Sequence, residues 1–170
     1  MTNKEFFIQT WQDEMKRTVS AVRALPEDMA GLTYRCNAKA RSAAEIIGHM
    51  LPHAESICNA AIDFKVTEST GKTFNSVEEA AVYFEKNALQ LVENLHSTDD
   101  STWNEQLVTF YLDGNKLFAY PMSNMFWLLM FDIIHHRGQL STYYRHMGVR
   151  NPPIYGPTAE DMEALLAAKN

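Results

Sequence analysis

The chain has 170 residues, 46% hydrophobic and 21% charged, with a formal net charge of −6. That length holds one domain with a proper core and is short for two, and the composition excludes a disordered chain. No run of Lys or Arg exceeds two, so the basic stripe of a nucleic-acid face is missing, and no apolar stretch reaches the roughly 18 residues of a membrane span.

The first residues, Met1-Thr2-Asn3-Lys4-Glu5, are polar and carry no signal-peptide pattern. Cys36 and Cys58 stand far apart without a CxxC. They read as small buried hydrophobes in a reducing compartment, which makes the cytoplasm the expected location.

A first helix is expected from Thr2 to Leu25, because Phe7, Trp11, Met15, Val22 and Leu25 repeat at helical spacing and Pro26 stops the run. Pro26 to Lys39 has no period and reads as a linker. Ser42-Ala43-Ala44-Glu45 has the form of a capping box, and Ile46, Ile47, Met50, Leu51, Ala54, Ile57 and Ala61 then supply a broad apolar face. Glu45, His49, His53 and Ser56 form a polar line beside that face. Pro52 removes the donor to the carbonyl of Gly48, so a kink is expected within one turn of His49.

Asp63 to Asn75 reads as a polar connection. Ser76-Val77-Glu78-Glu79 caps a further helix running to about His96, with Val77, Ala81, Phe84, Ala88, Leu91 and Leu95 inward. His96, at its C-terminal end, is assigned no chemistry. From Ser97 to Tyr120, alternating residues around Asp113-Gly114 suggest two short extended segments and a turn. A long helix, opened by Pro121 and Ser123 or Asn124, runs to about Arg145 and is closed by Gly148. The tail Asn151-Pro152-Pro153-Ile154-Tyr155-Gly156-Pro157 is extended, and Thr158-Ala159-Glu160-Asp161 opens a short last helix through Leu166. Four long amphipathic helices in a chain of this size point to an all-α four-helix bundle with a hairpin-like insertion before the fourth long helix and a short C-terminal helix.

The stretch Asp132-Ile133-Ile134-His135-His136-Arg137-Gly138-Gln139-Leu140 stands out. At 100° per residue Met125, Leu129, His136, Leu140, Tyr143 and Met147 fall within about 40° of one line, and Asp132 shares it. Desolvating a lone carboxylate costs several kcal/mol, so Asp132 needs a partner or a metal. It can ligate beside His136 or fix that ring's tautomer. A buried Asp–His hydrogen bond that specifies helix packing accounts for the same spacing. His135 points about 100° away, toward a helix–helix boundary, and His146 reads as a surface group. Arg137 and Gln139 flank the stripe and suit a hydrogen bond to a neighbouring helix or a second chain. The chain has no phosphate loop, no HExxH and no GxSxG.

His136-Arg137-Gly138-Gln139-Leu140, with Tyr144-Arg145 and Gly148, resembles the signature at the end of the fourth helix in the DinB-like (damage-inducible) family of four-helix bundles. Ser42-Ala43-Ala44-Glu45-Ile46-Ile47-Gly48-His49 is similar to that family's second-helix motif, which ends in a histidine. The resemblance implies up-down-down-up connectivity and a divalent metal on three histidines, one from the second helix and two, four residues apart, from the fourth. Carried over, these positions are His49, His136 and Asp132, the last a departure from histidine. Aspartate is a competent oxygen ligand for zinc, nickel or manganese.

The resemblance further implies a metal-dependent enzyme for small molecules, a transferase of low-molecular-weight thiols or a hydrolase. His53 or Glu45, on the helical line of His49, are its candidates for accepting the displaced proton. A homodimer is the expected assembly, with a small-molecule substrate and neither nucleic acid nor membrane as a partner. The competing expectation is a non-catalytic dimeric bundle, a ligand-binding or stress-associated protein that has lost the metal.

Overall fold

The computed structural model describes residues 1–68 and 71–168. Helix α1 (Asn3–Arg23) starts at a reciprocal capping box between Thr2 and Glu5 and buries Phe7, Trp11, Met15, Val19 and Val22. That face packs on α4 (Val77–His96) and α6 (Met122–Ser141), and Trp11 Nε1 donates to the Ala88 carbonyl of α4 at 3.0 Å. The linker contains a 3-10 turn, Met29–Thr33, before Ser42 and Glu45 cap α2 (Ala43–Met50).

The expected second helix is broken at Pro52 into α2 and α3 (Pro52–Asp63). Leu51 keeps right-handed helical angles, so the chain bends rather than turns back. The Gly48 carbonyl that Pro52 leaves without a donor accepts from the Lys72 backbone N–H at 2.7 Å. Phe64, at φ 60° in the left-handed region, ends α3 and swings the chain into strand β1 (Lys65–Glu68).

β1 corrects the all-α expectation: the fold is mostly helical with a small three-stranded sheet. It pairs in parallel with β2 (Leu107–Leu112), Lys65 opposite Thr109 and Glu68 opposite Leu112. β2 pairs antiparallel with β3 (Asn115–Pro121) through a turn in which Asp113 (φ 49°) and Gly114 (φ 80°) are both left-handed, as a two-residue hairpin of primed type requires. The four residues of β1 carry too little pattern to be told from a polar connection, and their partner lies about 40 positions downstream.

Two boundaries also differ from expectation. The stretch before the hairpin contains helix α5 (Asp100–Glu105), capped by the Asp99 side chain and anchored by the buried Trp103. The long helix α6 stops at Ser141, where the Ser141 and Thr142 hydroxyls donate back to the Gly138 and Gln139 carbonyls. A 3-10 turn, Tyr144–Met147, then runs to Gly148 in the left-handed region. The last helix, α7 (Ala159–Ala167), buries no residue and is tied by Arg145–Glu160 and Arg150–Asp161 ion pairs. Among the described residues no helix is long and apolar enough to cross a membrane.

Cys58 is buried, but Cys36 is exposed, contrary to the reading of both as core residues. It lies in the linker, where Asn37 Nδ2 and the Tyr143 hydroxyl approach its sulfur.

Candidate metal centre

The bend at Pro52 sets His49 of α2 and His53 of α3 side by side, ring centroids 4.9 Å apart, against the middle of α6. There the helical spacing of four brings Asp132 and His136 to the same side. Three imidazoles converge on one carboxylate oxygen. His53 Nε2 is 2.7 Å from Asp132 Oδ2, His136 Nε2 is 3.4 Å away and His49 Nε2 is 3.5 Å away. The His53 and His136 side chains are only 3% and 7% exposed, whereas His49 at 24% and Asp132 at 36% leave one side open to solvent.

Gln139, one turn beyond His136, bridges two rings. Its Oε1 accepts from His136 Nδ1 at 2.8 Å, and its Nε2 donates to His135 Nε2 at 3.0 Å. The proton of a neutral His136 is thereby placed on Nδ1, and the lone pair of Nε2 points toward Asp132 Oδ2. A lone pair facing a carboxylate oxygen needs a cation between them, either a second proton or a metal ion. His135, expected at a helix–helix boundary, is instead exposed and serves as the far partner of Gln139.

The donor set fits a divalent ion. Ligand atoms about 2.0–2.1 Å from a tetrahedral centre lie about 3.3–3.4 Å from one another. The two Nε2–Oδ2 separations of 3.4 and 3.5 Å are of that size. One donor atom from each of His49, Asp132 and His136 falls within 4.8 Å of the others, and His49, His53 and Glu68 form a second such group.

Electrostatics tie the two groups together. Burial opposes charge on Asp132, but the three imidazoles gathered on it, His136, His49 and His53, outweigh it and hold the carboxyl far below the usual range. Burial likewise opposes protonation of His53, yet the hydrogen bond to Asp132 and the Glu68 carboxylate beside it raise it to about 9. Glu68, at the end of β1, reaches His53 Nδ1 with an Oε1 that is buried and meets no hydrogen-bond donor in good geometry. Glu45 lies elsewhere. Its carboxylate accepts from the Ser42 backbone N–H and from Arg35, both at 2.7 Å, and those bonds lower its pKa.

The model of the DinB family matches residues 1–169. The chain belongs to the DinB family. Its fold is similar to that of a crystallised DinB-like protein from Bacillus cereus ATCC 10987, with a TM-score of 0.68, 22% identity and coverage of 89% of this chain and 97% of that one. The DinB-like protein YjoA of Bacillus subtilis gives a TM-score of 0.64 at 17% identity, covering 89% and 99%. Among curated proteins none matches this sequence.

In this DinB-family chain the cluster opens through His49 onto a cleft of about 970 Å³. Lys39, Arg41 and Lys72 line it together with Phe74, Phe110 and Leu112, the last two from β2. Sequence reasoning missed Glu68, because a strand of four residues carries no usable period, and it read the β2 stretch as extended without placing Phe110 or Leu112 beside the cluster. Arg137, noted only as a flank of the stripe, is 1% exposed and ion-paired with Glu14 of α1. His96 ends α4 exposed, and His146 is exposed with its ring stacked on Tyr34.

Proposed function

We propose that this protein is a divalent-metal-dependent enzyme acting on a small molecule, with His49, Asp132 and His136 as the protein's metal ligands. One observation carries this reading: two imidazole Nε2 atoms approach the same Asp132 oxygen at 3.4 and 3.5 Å. When bound, a zinc, nickel or manganese ion lowers the pKa of a thiol or water and makes it a nucleophile near neutral pH. Gln139 keeps His136 in the tautomer that donates through Nε2, and the Asp132 charge offsets part of the charge of the cation. His53 holds a proton on the side of Asp132 away from solvent, at Nε2 or at the Nδ1 facing Glu68, and can return it to a leaving group through a small rearrangement. Glu45, held by its cap and by Arg35, is the weaker of the two proton-transfer candidates. The reaction class is transfer of a low-molecular-weight thiol to an electrophilic carbon, with hydrolysis as the variant in which water replaces the thiol.

The same reading takes the protein as a cytoplasmic homodimer with up-down-down-up long helices. Phe6 and Phe131, 47% and 57% exposed, flank Trp127 in a continuous aromatic patch suited to a contact between copies. Sedimentation at several concentrations tests that assembly.

A second reading is favoured by a specific contact. His53 Nε2 already satisfies Asp132 Oδ2 at 2.7 Å, so a non-catalytic bundle can hold this cluster without an ion. Metal content by mass spectrometry on untagged protein separates the two, measured beside His136→Ala, Asp132→Ala and His49→Ala. Near-stoichiometric metal in the wild type, lost in all three variants, supports the enzyme. Metal retained in Asp132→Ala promotes His53 to third ligand. A folded wild type that takes up no metal on reconstitution leaves the non-catalytic bundle.

A further inference from the structure

The cleft in front of His49 has a charge pattern opposite to that of the chain. The protein carries a net charge of −6, yet three cations line this cleft, Lys39, Arg41 and Lys72 in addition to Arg35. Arg35 is committed to Glu45 and to the Ala40 carbonyl. The Lys72 ammonium lies 4.5 Å from the centre of the Tyr83 ring, a cation–π contact that fixes its position. Lys39 and Arg41 have no partner for their charged groups among the described residues. Of the carboxylates on the same wall, Glu45 is paired with Arg35 and Glu68 with His53, which leaves Asp113 on the hairpin turn.

The remaining lining is apolar. Ala40 and Ala44 stand beside the cations, and Phe74, Phe110 and Leu112 complete the surface. Phe74 and Phe110 are 7% and 9% exposed, so they present a preformed wall, while Leu112 at 40% marks the solvent side. A volume of about 970 Å³ is at the upper end of what small-molecule sites occupy, of order 300–1,000 Å³. Free guanidinium and ammonium groups beside an apolar wall select a ligand with both an anionic group and an apolar body. A neutral ligand leaves the two cations unpaired, and a small inorganic anion leaves the apolar wall wet.

We propose that the cleft binds a small amphipathic organic anion, its carboxylate or sulfonate held by Lys39 and Arg41 and its apolar body along Phe74, Phe110 and Leu112, with its reactive end toward His49. This names the substrate class of the proposed enzyme and rests on that reading for its chemistry, though the binding itself does not require the metal.

The test uses two fluorescent probes that share an aryl-naphthylamine framework and differ in charge: 1-anilinonaphthalene-8-sulfonate and neutral N-phenyl-1-naphthylamine. Both are titrated into the full chain and into a Lys39→Ala/Arg41→Ala variant, whose substituted side chains are exposed and whose helicity is checked by circular dichroism. The expected result is a loss of roughly tenfold or more in affinity for the sulfonate in the variant, as for removal of charge-assisted bonds. Affinity for the neutral probe should stay within about twofold, and sulfonate binding by the wild type should weaken with added salt. Phe110→Ala should weaken both probes. Equal sulfonate affinity in the wild type and the double variant, a neutral probe bound as tightly as the anion, or no sulfonate binding at millimolar concentration overturns the proposal.

Metal content measured on the same samples keeps the two readings apart. A wild type that binds the sulfonate through Lys39 and Arg41 but takes up no metal sinks the enzyme and leaves the anion site standing. A wild type with metal but no charge-selective binding does the reverse.

Discussion

The backbone N–H of Lys72 donates to the carbonyl of Gly48 at 2.7 Å, one residue from His49. This bond closes the gap that Pro52 opens in the helix and pins the segment after Gly71 to the cluster. It requires glycine at position 48, because a Cβ there would lie 2.3 Å from the Lys72 carbonyl oxygen. Gly48→Ala is therefore expected to destabilise the fold by roughly 1–3 kcal/mol, as overpacking does, and to weaken metal uptake. Gly71→Ala, whose Cβ would approach the Gly48 oxygen at 3.1 Å, should cost less. Urea unfolding of both variants checks the order, and equal stabilities would sink the argument.

Gln139 is exposed yet holds the tautomer of His136 through its Oε1. Gln139→Leu should leave the melting temperature nearly unchanged and lower metal affinity by about 10–100-fold, the usual effect of losing a partner behind a ligand. Competition with a chromophoric chelator measures this directly. Unaltered affinity would show that the ring is oriented by packing alone.

The metal-free protein should have two pH limits. His53 is raised to about 9 in the folded state by Asp132 and Glu68, against the burial that opposes its charge. Its unfolded value is near 6.5, so its contribution is complete below about 6.5 and disappears as pH rises through about 9. Asp132 is shifted the other way. Its contribution is complete above the ordinary carboxylate value of about 3.9 and falls away in more acidic solution. Chemical unfolding of the apo protein between pH 3 and 10 should thus show a plateau between those limits. His53→Gln should flatten the alkaline limb, and an unchanged limb would remove His53 as its cause.

The buried pair of Arg137 and Glu14 joins α6 to α1. Arg137 Nη1 also donates to Thr18 Oγ1 at 3.0 Å, and Nη2 to the Tyr155 hydroxyl at 2.6 Å. Glu14→Leu strands the Arg137 charge in the core and should cost roughly 3–5 kcal/mol, whereas Arg137→Leu leaves Glu14 paired with Arg17 at 3.1 Å and should cost less. Replacing both with apolar residues should recover most of that loss. Tyr155→Phe, at a ring that is 66% exposed, should cost about 1 kcal/mol or less. A double-mutant cycle on thermal unfolding checks all three values, and additive losses for the first pair would show that the two charges do not interact.

Local patterns foretold most of the helical framework. Ser42, Ser76 and Thr158 act as the caps their positions suggested, each accepting from the backbone N–H three residues on. The Asp113-Gly114 turn and the bend at Pro52 were equally legible, since each depends on the backbone preferences of one or two residues. The placement of Asp132 and His136 on one face of α6 follows from a spacing of four, and the HRGQL signature agrees with the family to which the chain belongs.

Sequence by itself determined the long helices, the hairpin, the family and the four-residue partnership of Asp132 and His136, because these rest on interactions within about one turn of helix or one tight turn. Tertiary structure alone decided that His53 and His49 reach the same oxygen as His136, that Glu68 stands behind His53, and that Arg137 pairs with Glu14. Those contacts join residues from 15 to more than 100 positions apart, as with Glu14 and Arg137 at a separation of 123. A charged or imidazole side chain carries no record in its neighbours of the distant partner that will satisfy it, and only the packing of α1, α2 and α3 on α6, with β1 against α3, brings that partner into reach.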